Sequence, residues 1–462
     1  MITIDFTNML APGVSGGISG TDWDRAASLF DRARATFEQR RAAGELGFLD
    51  LPKDSALHKQ STDFAKRTRG RFTDVVVLGI GGSALGPIAL RTALCKPHWN
   101  LLDAGARDMR PRLHVLDNLD PTTIAGLLDR LPLERTLFIV TSKSGGTAET
   151  MSQYLVVRQR LDGERLAAKD HIVFVTDPKK GALRPLASAE QIPALDIPAN
   201  VGGRFSVLAP VGVLPAALIG IDTAGLLSGA ADLAERCTTS DLRRNPAGTF
   251  AVLQYLADSS AGKHIQVLMP YSDALRDTAA WFVQLWAESL GKRRLSGGGP
   301  EQHVGPTPLG ALGATDQHSQ VQLFMEGPAD KTITFITAAR KGDVEIPPLH
   351  KDVAELAYLG GHSLGEVLDI EQRATAGALA KRGRPNMTMH LDAVDAWHVG
   401  GLLMLLEAAT IYAGALYDVN PLDQPGVELG KQFTYAMLGR ADAAAAKAEW
   451  ETLPKPDPKY RV

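Results

Sequence analysis

Cysteine is nearly absent from this chain: 462 residues contain two, Cys95 and Cys237. That excludes a disulfide framework and a cysteine-rich metal site. Charge of one sign is also missing. The formal balance is −3, which gives no strong field to draw nucleic acid or a membrane surface. No run of 18 apolar residues is present, since VLAPVGVLPAALIGI (207–221) is broken by Pro210 and Pro215. The opening MITIDFTNMLAPG carries Asp5 and has no basic stretch leading into an apolar one, so no signal peptide is expected. HExxH, paired histidines at i,i+4 and CxxC are all absent, so no catalytic metal is expected. What remains is ordinary globular composition, 45% apolar and 22% charged. The chain is longer than one core usually serves, so a soluble, cytoplasmic protein of several domains is expected.

The pattern of runs predicts the architecture. Residues 22–46 place apolar side chains at helical spacing among charges, which predicts an opening surface helix. Short β-branched runs follow: DVVVLGI (74–80), RLHVLD (112–117), TLFIVTS (136–142) and HIVFVTD (171–177), with helix-length segments at 83–95, 121–131 and 147–162. A Gly/Pro-rich passage from Pro198 to Pro215 interrupts the alternation. It resumes with HIQVLMP (264–270), KTITFIT (331–337) and NMTMHLD (386–392), and with helices near 273–290, 362–381 and 393–416. Strands that are apolar without period-2 alternation belong in parallel sheets covered on both faces. Two doubly wound parallel-sheet αβα sandwich domains are therefore predicted, at 61–215 and 216–435. A helical N-terminal segment (1–60) and a C-terminal helix and tail (436–462) flank them.

Two β-to-α junctions are rich in glycine and hydroxyls. Gly79-Ile80-Gly81-Gly82-Ser83-Ala84 matches G-x-G-x-x-A, but the nearest strand-end acid, Asp117, lies 38 residues after Gly79. A dinucleotide fold wants it about 20 on, so that reading fails and no redox cofactor is expected. Thr141-Ser142-Lys143-Ser144-Gly145-Gly146-Thr147 follows a strand and opens a helix. Its hydroxyls and backbone N–H groups make an anion cradle suited to a phosphate monoester; alternatively Ser144 or Thr147 simply caps the helix, with Glu149 in the first turn. Further on, Glu288 ends an apolar helix stopped by Gly291. It is either an isolated carboxylate available as a general base or half of an i,i+4 pair with Lys292, a pair worth about 0.2–0.5 kcal/mol. His318 lies in a polar loop, Arg204 follows Gly202-Gly203 where backbone can approach a ligand, and Lys431 follows a turn at Gln424-Pro425-Gly426.

Six blocks in order resemble the phosphoglucose (glucose-6-phosphate) isomerase family in its compact bacterial form: GIGGSALGP (79–87), TSKSGGTAET (141–150), GGRFSVLAPVG (202–212), QLWAESLGK (284–292), TDQHSQVQL (315–323) and QPGVELGKQ (424–432). The resemblance implies sugar-isomerase-type domains and an isomerase of glycolysis and gluconeogenesis that uses no cofactor. It implies that Gly82, Ser83, Ser142, Lys143, Ser144 and Thr147 hold the sugar phosphate, with Glu149 and Gly203 nearby. Glu288 falls on the base, Arg204 on the cation that stabilises an enediolate, His318 on the ring-opening residue, and Lys431 and Gln424 on contacts to ring oxygens. It further implies a homodimer in which His318 is donated across the interface. Two alternatives use related domains. A non-catalytic phosphosugar-binding regulator would keep the hydroxyl loop without needing Glu288, His318 or Lys431. An aminotransferring enzyme would need an N-terminal catalytic cysteine, and the first cysteine here is Cys95.

Overall fold

The computed structural model describes residues 1–11, 13–295, 301–339 and 342–462. In chain order its strands are β1 (Ile2–Asp5), β2 (Asp74–Leu78), β3 (Arg112–Leu116), β4 (Thr136–Thr141), β5 (Ile172–Thr176), β6 (Ala194–Asp196), β7 (Ile265–Pro270), β8 (Lys292–Leu295), β9 (Glu301–Val304), β10 (Thr307–Gly310), β11 (Lys331–Ala338) and β12 (Asn386–Leu391). The first sheet runs β3-β2-β4-β5-β6 and the second β1-β12-β11-β7-β10, while β8 and β9 form a separate hairpin. Every pairing in the first sheet is parallel. All seven strands predicted from apolar runs are present, on the predicted doubly wound α/β plan.

Alternate residues of β2 show why the sheet needs cover on both faces. Val75 and Val77 pack with Trp99, Ile139 and Leu214, while Val76 and Leu78 pack with Phe138, Tyr154 and Phe174. A strand buried on both sides has no polar face to present, hence the unbroken DVVVL. The second sheet does the same, with Val267 and Met269 in one cluster and Leu268 in another.

Two features depart from the sequence reading. The N-terminal segment is not purely helical: β1 pairs antiparallel with β12, Ile2 opposite Leu391 and Ile4 opposite Met389, so the second sheet is mixed. The Gly/Pro-rich passage contains a helix, Pro210–Leu218, because proline at a first helical position loses an N–H that has no partner there anyway. The longest apolar element is Ala396–Leu416, whose length and composition would allow it to cross a membrane. Yet 89% of its most apolar window is buried inside this chain, where it packs against helices Thr223–Arg236 and Pro246–Ser259.

In the first sheet the chain steps from β2 to β3 on one side, then returns to place β4 on the other side of β2. This reversal opens a crevice beyond the carboxyl ends of β2 and β4, the position where open α/β sheets hold ligands. The glycine loop follows β2 and the hydroxyl loop follows β4.

Candidate active site

The hydroxyl loop turns its side chains on one another rather than on the helix behind it. Ser142 Oγ lies 3.0 Å from Thr147 Oγ1 and 3.5 Å from Ser144 Oγ, and Ser144 Oγ is 3.3 Å from Thr147 Oγ1. Gly145 N donates to Ser142 Oγ at 3.1 Å and Gly146 N to Ser144 Oγ at 3.3 Å. Helix Ala148–Gly163 starts directly after Thr147 without a side-chain cap, so the simple capping alternative is not what the structure adopts. Three converging hydroxyls at an uncapped helix start are an arrangement able to take a small anion. The Thr176 hydroxyl fixes the loop from β5 by donating to Ser142 O at 2.7 Å.

Lys143 faces elsewhere. Its ammonium donates to Ala199 O and Val201 O, both at 2.7 Å, and so braces the segment leading to Arg204. Burial lowers its pKa, with Asp177 opposing that shift and Lys180 adding to it. The turn Gly203–Phe205 then meets the glycine loop backbone to backbone. A Cβ on Gly82 would lie 2.3 Å from Gly203 O, so only glycine allows that approach. Gly81 has φ +56°, and a Cβ there would meet the Gln284 amide at 2.8 Å. These contacts link the cradle, the arginine turn, the glycine loop and the helix Arg276–Leu290 in an unbroken series.

Arg204 is 4% exposed, and its guanidinium is fully engaged. Nε donates to Ser289 Oγ at 2.7 Å; Nη1 donates to Glu288 Oε1 at 2.9 Å and to Gln424 Oε1 at 3.2 Å. Nη2 donates to the carbonyls of Pro421 and Asp423, the latter at 2.8 Å. Burial depresses the guanidinium's pKa, and Glu288 works against that shift. The other Glu288 oxygen accepts from Gln284 Nε2 at 3.1 Å. A cavity of about 440 Å³ opens beside Glu288, bounded by Gln284, Ala287, Lys292 and the Gln424–Val427 segment.

The expected alternative for Glu288, an ion pair with Lys292, is not formed. Lys292 Nζ instead donates to the backbone carbonyl of Glu288 at 2.8 Å and to Asp423 O, and it pairs with Asp423 Oδ1 at 3.2 Å. Burial lowers its pKa and Asp423 opposes that. A cation satisfying a carbonyl at a helix C-terminus follows from the unpaired carbonyls and negative dipole end found there.

The other expected side chains are not among the hydrogen-bond partners of Arg204 or Glu288. Lys431 is exposed on helix Glu428–Met437 and pairs with Glu428 at 2.8 Å. His318 is exposed at the end of the turn Thr315–His318, which follows β10. Ser83 and Glu149 are half-buried at the starts of their helices. Sequence reasoning did not single out Gln284, Ser289, Lys292 or Asp423 as parts of the site. Gln284 was legible, one helical turn before Glu288. The carbonyls of Pro421 and Asp423 carry no side-chain signal.

The family model described as phosphoglucose isomerase matches residues 49–453. The chain is 45% identical over 447 residues to a protein of Carboxydothermus hydrogenoformans named glucose-6-phosphate isomerase, covering 95% of each. A protein of the same name from Rubrobacter xylanophilus is also 45% identical, over 95% of this chain and 98% of its own. Among solved structures, a hypothetical protein of Thermus thermophilus aligns with a TM-score of 0.83 at 37% identity, over 95% of this chain and all of that one. A glucose-6-phosphate isomerase of Chlamydia trachomatis shares the fold, with a TM-score of 0.79 at 22% identity over 97% of this chain and 93% of that one.

Proposed function

Because the chain belongs to the phosphoglucose isomerase family, we propose that the cleft between Arg204 and Glu288 interconverts glucose 6-phosphate and fructose 6-phosphate. The observation that carries this reading is the direct contact of a buried guanidinium with a partly exposed carboxylate, 2.9 Å apart, next to an anion cradle.

The reaction opens the sugar ring, moves a proton between C2 and C1, and holds negative charge on an enediolate. Ser142, Ser144 and Thr147 take the phosphate, supported by the N–H groups of the uncapped helix start. Binding energy from that remote group positions the reacting carbons. Glu288 removes the C2 proton and returns it to C1. As it becomes neutral its hold on Arg204 weakens, and the guanidinium turns its charge to the enediolate oxygen. Donors aimed at such an oxygen are typically worth about 2.7–4 kcal/mol each. Gln424 and Gln284 flank the reacting centre, and Gly82, Ser83 and Gly203 shape the wall between cradle and base. Glu149 is assigned to the substrate side of the cradle. Lys143 acts as the brace of the Arg204 segment.

Ring opening falls to His318, since an imidazole can both donate and accept a proton, with Lys431 assisting. Both are exposed within one protomer, which supports a homodimer in which each His318 completes the partner's cleft. No metal or redox cofactor has a step in this scheme. The isomerisation serves glycolysis and gluconeogenesis, and the cytoplasm is the compartment proposed for it.

A coupled assay tests the reading: purified chain, fructose 6-phosphate and EDTA, with glucose 6-phosphate read through a dehydrogenase. Turnover is expected, and a folded chain that binds the sugar phosphate without turnover would favour the regulator instead. Mixing inactive Glu288→Gln and His318→Ala chains tests the interface. Recovered activity supports donation of His318 across it, and none argues that each cleft is completed within its own chain.

A further inference from the structure

A second cavity, of about 510 Å³, lies along the open edge of β1. Its lining contains three arginines, Arg236, Arg243 and Arg244, and no acidic side chain. Arg236 is held by long contacts of 3.4 and 3.3 Å from its two terminal nitrogens to Ile2 O. Among the described residues, Arg243 and Arg244 have no carboxylate within ion-pair distance. Asp241, the nearest acid in sequence, spends an oxygen on Arg243 N at 2.9 Å. Three cations around one space, in a protein of net charge −3, repel one another unless an anion joins them. Guanidinium groups suit phosphate because their forked donors match its oxygens.

Most of the remaining lining is aromatic or apolar. Phe6 and Trp23 pack with ring centroids 5.4 Å apart at 45°, beside Ile2, Ile4 and Leu10. Because the Ile2 carbonyl faces Arg236, the alternation of an antiparallel edge strand turns the peptide groups of Ile4 the same way. Hydrogen-bonding groups thus lie among the apolar and basic side chains of one cavity. The volume suits a small organic ligand. The cavity lies at the β1 edge of the second sheet, whereas the His318 turn follows β10 at the other edge.

We propose that this cavity is a second ligand site, separate from the isomerase cleft, for an organic phosphate with a planar ring, the chemistry of a nucleotide. The phosphate lies on Arg243 and Arg244, and the ring stacks against Trp23 and Phe6.

The test titrates the full-length protein with ADP, inorganic phosphate and adenosine by calorimetry, with fructose 6-phosphate as competitor. ADP is expected to bind with a Kd of about 0.1 mM or tighter, more tightly than either fragment and without displacement by the sugar phosphate. Arg243→Ala combined with Arg244→Ala should weaken ADP at least about tenfold and leave isomerase turnover unchanged. If that double variant does not fold, Trp23→Leu is measured and should weaken ADP while sparing phosphate. No ADP binding at millimolar concentration overturns the proposal. So does phosphate binding as tightly as ADP, which removes the ring from the ligand. Displacement of ADP by fructose 6-phosphate, with the variants inert, would place the nucleotide in the isomerase cleft and also overturn it.

Discussion

Arg204 donates to Glu288 Oε1 at 2.9 Å from the same nitrogen that donates to Gln424 Oε1 at 3.2 Å. With Ser289 on Nε and two carbonyls on Nη2, all five N–H groups of the guanidinium are occupied. An incoming enediolate oxygen must therefore displace an existing acceptor. Glu288 and Gln424 are the two that border the cleft. The three deeper contacts keep the guanidinium in place while Nη1 changes partner, so the site is organised before charge develops on the substrate.

Arg204→Lys is expected to lower kcat by about 10²–10³-fold, the usual cost of removing one oxyanion donor. An ammonium has three donors against five and no planar fork, so it cannot keep the deep contacts and reach the cleft together. KM should change far less, since the loop proposed to hold the phosphate is a different one. Steady-state kinetics on both sugar phosphates check this; an unchanged kcat would remove Arg204 from the oxyanion role.

Ser144→Ala and Thr147→Ala should chiefly raise KM, by about tenfold for a lost hydrogen bond to a charged group, with a smaller effect on kcat. Measuring KM for phosphorylated substrate and Ki for a phosphorylated competitor reads the cradle twice. If neither moves, the phosphate is bound elsewhere.

Lys292→Met should cut kcat while leaving KM nearly unchanged. Lys292 ties the Glu288 carbonyl to Asp423, and Asp423 O in turn holds Arg204. Freeing that tie loosens base and cation together, and misplacement of about 1 Å can cost 10²-fold. Asp423→Asn keeps the carbonyl contacts and should retain most activity. Equal losses in both variants would assign the effect to the lost ion pair instead.

How much of this was legible varied with the kind of signal. Strands such as DVVVL and TLFIV were plain because burial on both faces leaves no polar position to disguise them. β6 and β10, at three and four residues, are too short to carry a pattern, and β1 is fixed only by β12 nearly 390 residues away. In the site, the cradle hydroxyls lie within six residues and were found together. Arg204 and Glu288 are 84 residues apart, and only the resemblance linked them. Spacing suggested Lys292 as the ion partner of Glu288, but the tertiary fold supplied Arg204 to the carboxylate and left Lys292 the backbone carbonyl.

Glu407 gives a pH dependence of stability unrelated to catalysis. It is fully buried in helix Ala396–Leu416, both oxygens lack a hydrogen-bond partner among the described residues, and burial raises its pKa well above the ordinary 4.5. A carboxyl raised in this way binds its proton more tightly when folded. Stability therefore falls as pH rises from the unfolded value to the folded one, and the penalty is constant above that. Glu407→Leu should stabilise the protein by about 1–3 kcal/mol at neutral pH and flatten its melting temperature between pH 5 and the folded-state pKa. A variant less stable than the parent at neutral pH would show that the carboxyl has a use in the core.

The most direct test of the central claim compares wild type with Glu288→Gln, an isosteric change that keeps the contact to Arg204 and removes the proton acceptor. The account predicts that kcat falls by several orders of magnitude in both directions while KM stays close to wild type, because the base acts in the transition state. A folded Glu288→Gln enzyme that keeps most of its turnover would contradict it and place the proton transfer on another group.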